Sequence, residues 1–251
     1  VAPVVEDLDG AGRLLVVPHG ALHYAPFHAF VGPDGRPLVE QLEVSYAPSA
    51  SVLGYCLERG ALAHGPEQPL VMGVPDEAAP HVATEVAALR RLFGRHLVFC
   101  GKEATGAVFR RHAPDADVIH LASHAVFRED NPLFSALRLA DGWLSLYDLY
   151  KLRLRAALVA LSACETGLSA VGAGDELVGL SRGFFQAGTP SLVVSLWAVH
   201  DESTARLMER FYARLRAGDR PGAAMRAAQT ELRHAHPHPY YWAPFVVVGR
   251  P

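Results

Sequence analysis

Short apolar runs of strand length, separated by helical patterns, restrict the fold of this chain more than any other feature. The strongest runs are RLLVVP (13–18), PLVMGV (69–74), DVIHLASH (117–124), AALVALSAC (156–164) and SLVVSLWAV (191–199). They lack strict alternation of apolar and polar residues, which is typical of strands buried on both faces. Because these runs alternate with helices, the sequence predicts an α/β fold with a mainly parallel central sheet and helices on both faces.

The remaining elements are predicted from weaker strand signals and from helix start and stop residues. HLVFC (96–100) is a weak strand, and YYWAPFVVVG (240–249) predicts a last strand that Pro244 places near a sheet edge. The polar stretch 127–143 predicts a long loop. Capping residues, first-turn acids and terminal glycines predict helices at 84–94, 105–112, 175–188, 201–218 and 221–234.

Composition and charge exclude several classes of protein. A net charge of -3 and a pI near 6.5 give no electrostatic reason to expect binding to nucleic acid or to an anionic membrane. No apolar stretch approaches the ~20 residues that span a bilayer. Three cysteines are too few for a disulfide framework, so we expect a cytoplasmic protein. The chain begins with Val1, and we expect one domain, residues 1–251, excised from a longer chain.

Two predicted strands end in reactive side chains. DVIHLASH ends at His124, and AALVALSAC ends at Cys164. They are one strand-helix-strand step apart, so neighbouring parallel strands would bring both residues to one sheet edge, where functional residues gather in such folds. A cysteine that attacks a carbonyl needs a thiolate fraction and a group that protonates the leaving group, and an imidazole provides the second. The pair therefore predicts nucleophilic catalysis.

Simpler interpretations exist for the same residues. A free cysteine is usually a small buried hydrophobe, and this is the alternative for Cys164 and the expectation for Cys56 and Cys100. His120 lies on the same strand as His124 and is expected to be a hydrogen-bonded core residue. GLSRG (179–183) fits the pattern of serine hydrolases, but Ser181 falls inside a predicted helix instead of a strand-to-helix turn. No motif predicts a cofactor or a metal site.

Seven stretches, in order along nearly the whole chain, resemble the CHAT family of caspase-like cysteine peptidases, which are related to caspases and separase. This resemblance implies a caspase-like three-layer sandwich. The matching stretches are VVPHGALHYAPFHAF, YAPSASVL, HLASHAVF, LVALSACETG, GLSRGFFQAG, VVSLWAVHDESTARLMERFY and HPYYWAPFVVVG.

The resemblance also implies roles for individual residues. His124 and Cys164 are expected to form the catalytic dyad, and the backbone N–H groups of Cys164 and Ala125 are expected to form the oxyanion hole. The family usually has glycine where this chain has Ala125, and a turn with positive φ would strain an alanine there by about 1–2 kcal/mol. LWAVHD places Asp201 where related peptidases line the pocket for the residue before the cut.

Asp201 is therefore expected to pair with a substrate Lys or Arg, although an acid at a helix start also has an ordinary capping role. Asp175 and Glu165 flank the same edge and are weaker candidates for substrate contact.

Together these features predict a cysteine endopeptidase that cleaves a specific protein partner after a basic residue. We expect a partner, or a fused repeat or sensor domain, to control it, because uncontrolled proteolysis in the cytosol would be harmful. The alternative is a catalytically weak or inactive caspase-like module that signals by binding, and Ala125 favours this alternative.

Overall fold

The computed structural model describes residues 8, 10–62, 65–77, 79–94, 97–126, 128, 131–165, 175–197, 199 and 201–251. Of residues 132, 163–165, 175–179 and 201, the backbone alone is described.

Ten strands of the described residues form one sheet, and eight α-helices surround it. The strands are β1 (Arg13–Val16), β2 (Glu43–Tyr46), β3 (Pro69–Gly73), β4 (Val98–Cys100), β5 (Val118–Val126), β6 (Ala136–Leu139), β7 (Gly142–Ser145), β8 (Leu158–Glu165), β9 (Ser191–Ser195) and β10 (Phe245–Gly249). The helices are α1 (Ala50–Leu57), α2 (Val82–Phe93), α3 (Gly106–His112), α4 (Leu146–Leu149), α5 (Asp175–Ala187), α6 (Asp201–Arg216), α7 (Pro221–Ala235) and α8 (Pro239–Trp242).

The central sheet is mainly parallel, as predicted. Its strand order is β1-β2-β10-β9-β8-β5-β3-β4, and neighbours along this path run parallel except β10 and β9. The hairpin β6–β7 attaches to the end of β5. Strands β3, β5, β8 and β9 coincide with four of the strongest apolar runs. They occupy consecutive positions in the middle of the sheet, in the order β9-β8-β5-β3.

Side chains from both faces of the sheet are buried, which explains the unbroken apolar runs. On one face, Ile119 and Val159 pack in a core with Phe109 of α3 and Phe184 of α5. On the other face, core residues from the strands pack against α2, α6, α7 and α8, with Trp242 among the largest buried side chains. Helices on both faces of the sheet produce the predicted three-layer sandwich.

Three predictions from the sequence are wrong. The last strand does not lie near an edge, since β10 lies between β2 and β9, and Pro244 precedes the strand and removes no ladder hydrogen bond from it. Its predicted first part, 240–242, belongs to helix α8. The stretch 127–143 is not simply a loop, because its described part contains β6 and the first residues of β7.

The observed start of helix α3 agrees with its predicted cap, whereas the observed start of helix α2 differs from the predicted one by two residues. Thr105 caps α3 as predicted, and its hydroxyl accepts a hydrogen bond from the Val108 N–H at 3.2 Å. Helix α2 begins at Val82 instead of Thr84. It ends at Phe93, and the next residue, Gly94, caps it with a φ of 82° that favours glycine.

Candidate active site

His124 and Cys164 occupy the same register position on adjacent parallel strands. Strands β5 and β8 pair over eight residues, and His124 lies directly opposite Cys164 in this ladder. Paired positions on parallel strands present their residues on the same face of the sheet. The side chain of Cys164 lies outside the described part of the structure, so the dyad itself stays a prediction, but the backbone geometry it requires is present.

The sequence reasoning missed a carboxylate that contacts His124. The Oδ2 atom of Asp76 lies 2.7 Å from Nε2 of His124. Asp76 follows strand β3, which pairs with β5, and it precedes helix α2. An acid two residues after the predicted strand 69–74 was visible in PLVMGVPD, but only the strand order shows that this strand is a neighbour of the strand carrying His124.

The Asp76 carboxylate is oriented by the backbone of its own turn. Its Oδ1 atom accepts a hydrogen bond from the Ala79 N–H at 3.0 Å, which leaves Oδ2 directed at the imidazole. The His124 side chain is nearly buried, at 9% exposed, whereas that of Asp76 is 48% exposed. Solvent therefore screens part of the attraction, and the contact serves orientation more than stability.

A second histidine on β5 belongs to a buried polar cluster below the candidate site. His120 is fully buried, and its Nδ1 atom lies 3.1 Å from the Tyr212 hydroxyl of α6. Its Nε2 atom lies 3.1 Å from Oε1 of Glu85 on α2, although not in hydrogen-bond geometry. The Ser162 hydroxyl donates to Oε2 of Glu85 at 3.0 Å. His120 is thus the core histidine that the sequence predicted.

The two other cysteines have surroundings that disfavour the thiolate. Burial raises the pKa of the Cys56 thiol to about 11, and it also raises the pKa of Cys100. Arg59 near Cys56 and Arg90 near Cys100 oppose these shifts without cancelling them. Because the thiolate is the nucleophile, neither cysteine is suited to catalysis at neutral pH.

Ala125 has an extended backbone instead of a strained turn. It is a residue of β5 that pairs with Leu137 on one side and Glu165 on the other. Among the non-glycine residues that the structure describes, Leu97 alone has a positive φ. The strain expected from alanine at this position is therefore absent. The role of the Ala125 and Cys164 N–H groups as oxyanion donors stays a prediction.

The three acidic candidates lie at element ends, and their side chains are not described. Glu165 is the last residue of β8, Asp175 begins α5 and Asp201 begins α6. Strand β9 runs parallel to its neighbour β8, so both strands end at the same edge of the sheet. Helix α6 follows β9, and its first residue therefore comes after the chain has left the edge at which Cys164 lies. Substrate contact by Asp201 stays a prediction.

Ser181 does not have the surroundings of a catalytic serine. Ser181 is buried within helix α5, which does not fit a serine nucleophile at a strand-to-helix turn. Among the described residues, no group of three or more His, Cys, Asp or Glu side chains is placed to hold a metal ion. In the same part of the chain, none of the helices has the length and apolar character needed to cross a membrane.

Comparison with known families decides the classification. The sequence profile described as the CHAT domain matches residues 1–250. The chain belongs to the CHAT domain family. Two curated relatives of this CHAT domain are tetratricopeptide repeat protein 28 from Mus musculus, 36% identical over 106 residues, and from Homo sapiens, 33% identical over 104 residues. Each alignment covers 41% of this chain and 4% of the relative, so the chain spans a small part of their length.

Solved structures confirm that the CHAT domain has a caspase-like fold. The Saccharomyces cerevisiae separase-securin complex matches 91% of this chain and 15% of its own chain, with a TM-score of 0.61 and 12% identity. Gingipain R, an Arg-specific cysteine proteinase, matches 100% of this chain and 66% of its own, with a TM-score of 0.65 and 11% identity. At 11–12% identity, these likenesses show the fold of the chain.

Proposed function

We propose that this CHAT domain is a cysteine endopeptidase whose dyad is Cys164 and His124. The single observation that carries the proposal is the register of β5 and β8, which pairs the two residues directly. The contact between Asp76 and His124 adds support, because a carboxylate that orients an imidazole is a recurring arrangement in nucleophilic catalysis.

In the proposed reaction, the Cys164 thiolate attacks the peptide carbonyl and forms a tetrahedral oxyanion. The backbone N–H groups of Cys164 and Ala125 donate to this oxyanion. Its collapse breaks the C–N bond, His124 protonates the departing amine, and a thioester remains on Cys164. Water then attacks the thioester while His124 accepts a proton from it. Collapse of this second tetrahedral intermediate breaks the C–S bond, releases the carboxylic acid and restores the Cys164 thiolate and the His124 imidazolium.

Asp76 determines which ring nitrogen of His124 carries the proton during these steps. A 2.7 Å contact from Nε2 to a carboxylate oxygen places the proton on Nε2, so the chemistry of this ring would use Nδ1. The carboxylate also stabilises the imidazolium that forms during proton transfer. Asp76 is thus proposed as a positioning residue that acts through His124.

For the substrate, we propose a peptide with a basic residue before the cut, paired with Asp201. Glu165 and Asp175 lie at element ends near β8 and are proposed as weaker contacts. A structural neighbour, gingipain R, is named as Arg-specific, which is compatible with this preference. We also propose a cytoplasmic location and a fused repeat domain as the controlling partner, and the name of the curated relatives supports the repeat domain.

The second candidate function is a caspase-like interaction module without catalysis. Alanine at position 125 favoured it in the sequence, but the extended backbone there removes the strain on which that inference rested. To separate the two functions, the full-length protein would be incubated with candidate partner proteins and the cut sites identified by mass spectrometry. The peptidase proposal predicts cuts with the wild type and with Cys100→Ala, and none with Cys164→Ala. Cuts that persist in Cys164→Ala would refute the dyad, and binding without cuts would support the interaction module.

A further inference from the structure

We propose that a cavity at the sheet edge opposite the candidate active site binds a phosphate group of a small molecule. The cavity has a volume of about 190 Å³. Ala157, which precedes β8, Ser191, which begins β9, and Arg250, which follows the antiparallel β10, all line it. These positions lie where β8 and β9 begin, whereas Cys164 lies where β8 ends. The two sites are therefore separated by the length of the sheet.

Three arginines give the cavity its charge. Arg13, Arg220 and Arg250 line it, and among the described residues that line it there is no acidic side chain. The Arg220 guanidinium pairs with the buried Glu43 carboxylate through one nitrogen, Nη2, at 3.0 Å. The three guanidiniums therefore give the cavity an excess of positive charge, which favours an anionic ligand.

The arginines retain unused hydrogen-bond donors. Arg250 donates from Nη1 to the carbonyl oxygens of Leu57 and Arg59, both at 2.7 Å, which holds its guanidinium against the end of α1. The Arg13 side chain makes no hydrogen bond or ion pair with any other residue that the structure describes. Each guanidinium carries five N–H donors, so most donors of the three groups remain available to a ligand.

A buried hydroxyl beside the cavity points to the same conclusion independently. Ser191 lines the cavity and is 2% exposed, and its hydroxyl has no hydrogen-bond partner among the described residues. The hydroxyl of Thr189, two residues earlier, is also buried without such a partner. A buried polar atom without a partner destabilises the fold, and a ligand that accepts a hydrogen bond from Ser191 would remove that cost.

The chemistry of the lining identifies the ligand class. Arginine forks bind phosphate through paired N–H donors, and a dianionic phosphate offers oxygen acceptors to several of them at once. The cavity is small, so a phosphate group with few additional atoms fills it, whereas most of a nucleotide would lie outside it. Leu57, Leu62 and Pro221 form an apolar wall that would contact a short carbon chain attached to that phosphate.

Isothermal titration of the full-length protein in phosphate-free buffer tests the proposal. Inorganic phosphate, glycerol 3-phosphate and ATP serve as probes that distinguish a free anion, a small ester and a nucleotide. We expect the first two to bind and ATP to bind at least about tenfold more weakly. Arg13→Gln is expected to weaken binding of the tightest probe by about tenfold or more, because it removes a charged donor. Ser191→Ala should fold normally and weaken the same binding by a smaller factor.

A matched variant separates a specific site from general attraction. Arg111→Gln removes the same charge from an exposed position at the end of α3, which does not line the cavity. We expect this variant to bind the probes as the wild type does. Absence of binding up to about 10 mM would overturn the proposal. An equal loss in Arg111→Gln and Arg13→Gln, or tighter binding of malonate than of phosphate, would also overturn it.

Discussion

The Oδ2 atom of Asp76 lies 2.7 Å from Nε2 of His124, while Oδ1 of the same carboxylate accepts the Ala79 N–H at 3.0 Å. Two neighbouring strands, β3 and β5, bring these residues together although 48 positions separate them in the sequence. The arrangement orients the imidazole at the sheet edge where Cys164 lies, and it leads to the first prediction.

Asp76→Asn is expected to lower kcat by about tenfold or more with little change in KM. The amide oxygen can still accept the Ala79 N–H, so the turn is retained, but the NH₂ group then faces His124 Nε2. That contact favours the proton on Nδ1, which is the wrong tautomer for the proposed chemistry. Steady-state kinetics on a cleaved peptide measure the effect.

Asp34→Asn is the control for this prediction, because Asp34 also orders a turn, through Arg36, but lies in a separate loop. It should retain the activity of the wild type. If Asp76→Asn were as active as Asp34→Asn, the positioning role of Asp76 would be wrong.

Asp201→Ala is expected to remove the preference for Arg and Lys before the cut. A carboxylate in the pocket contributes a charge-assisted hydrogen bond to a basic side chain, and such bonds are worth about 1.5–3 kcal/mol. Relative kcat/KM values for fluorogenic peptides ending in Arg, Lys or Gln report this preference. Glu202→Ala is the matched control, since Glu202 is exposed and pairs with Arg206 in the next turn. A basic preference that survives Asp201→Ala contradicts the pocket assignment.

His28 is expected to make the fold less stable at acidic pH. Burial lowers the pKa of His28 from 6.5 to about 4, and its Nε2–H donates to the Ala243 carbonyl at 3.1 Å. The unfolded chain therefore binds more protons at this residue between those pKa values. The stability that neutral His28 provides is complete above pH 6.5 and decreases as the pH falls from 6.5 toward about 4.

His28→Gln keeps a donor for Ala243 and does not titrate, so its free energy of unfolding should depend less on pH in that range. Urea denaturation at several pH values measures the difference between the wild type and this variant. Parallel pH profiles of the two proteins would show that His28 does not contribute.

Gly73→Ala is expected to destabilise the fold by about 1–3 kcal/mol. A Cβ at this last residue of β3 would overlap Cγ2 of Val86 and lie 3.0 Å from Cγ1 of Val82, both on the buried face of α2. The double variant Gly73→Ala/Val86→Ala should lose less stability than the sum of the two single variants, because the shorter side chain makes room.

Gly54→Ala in α1 is the control for the glycine prediction. A Cβ there would meet nothing within 4 Å, so the substitution should be neutral or stabilising. Strictly additive effects of Gly73→Ala and Val86→Ala in urea denaturation would contradict the proposed overlap.

The sequence predicted the central strands well because they are buried on both faces and therefore read as continuous apolar runs. It did not predict β2 or α1, and it placed β10 near an edge because Pro244 was assigned to the strand. Only the assembled sheet shows that Pro244 precedes the strand and that β2 covers its outer side.

The candidate site was partly visible in the sequence for a similar reason. His124 and Cys164 each end an apolar run, which marks strand ends, and parallel strands bring such ends together. Asp76 was missed because its relation to His124 depends on the order β5-β3, which apolar patterns do not encode. The cluster of Glu85, His120 and Tyr212 likewise joins α2, β5 and α6, three elements that are distant in sequence.

The most direct test of the dyad is the alkylation rate of each cysteine by iodoacetamide near neutral pH, measured by peptide mapping in the full-length protein. Each rate is divided by the rate of the same cysteine in urea. We expect Cys164 to react faster than Cys56 and Cys100, whose pKa values are raised, and we expect His124→Ala to remove this advantage. A Cys164 that reacts no faster than Cys100, or a rate unaffected by His124→Ala, would contradict the proposed pairing.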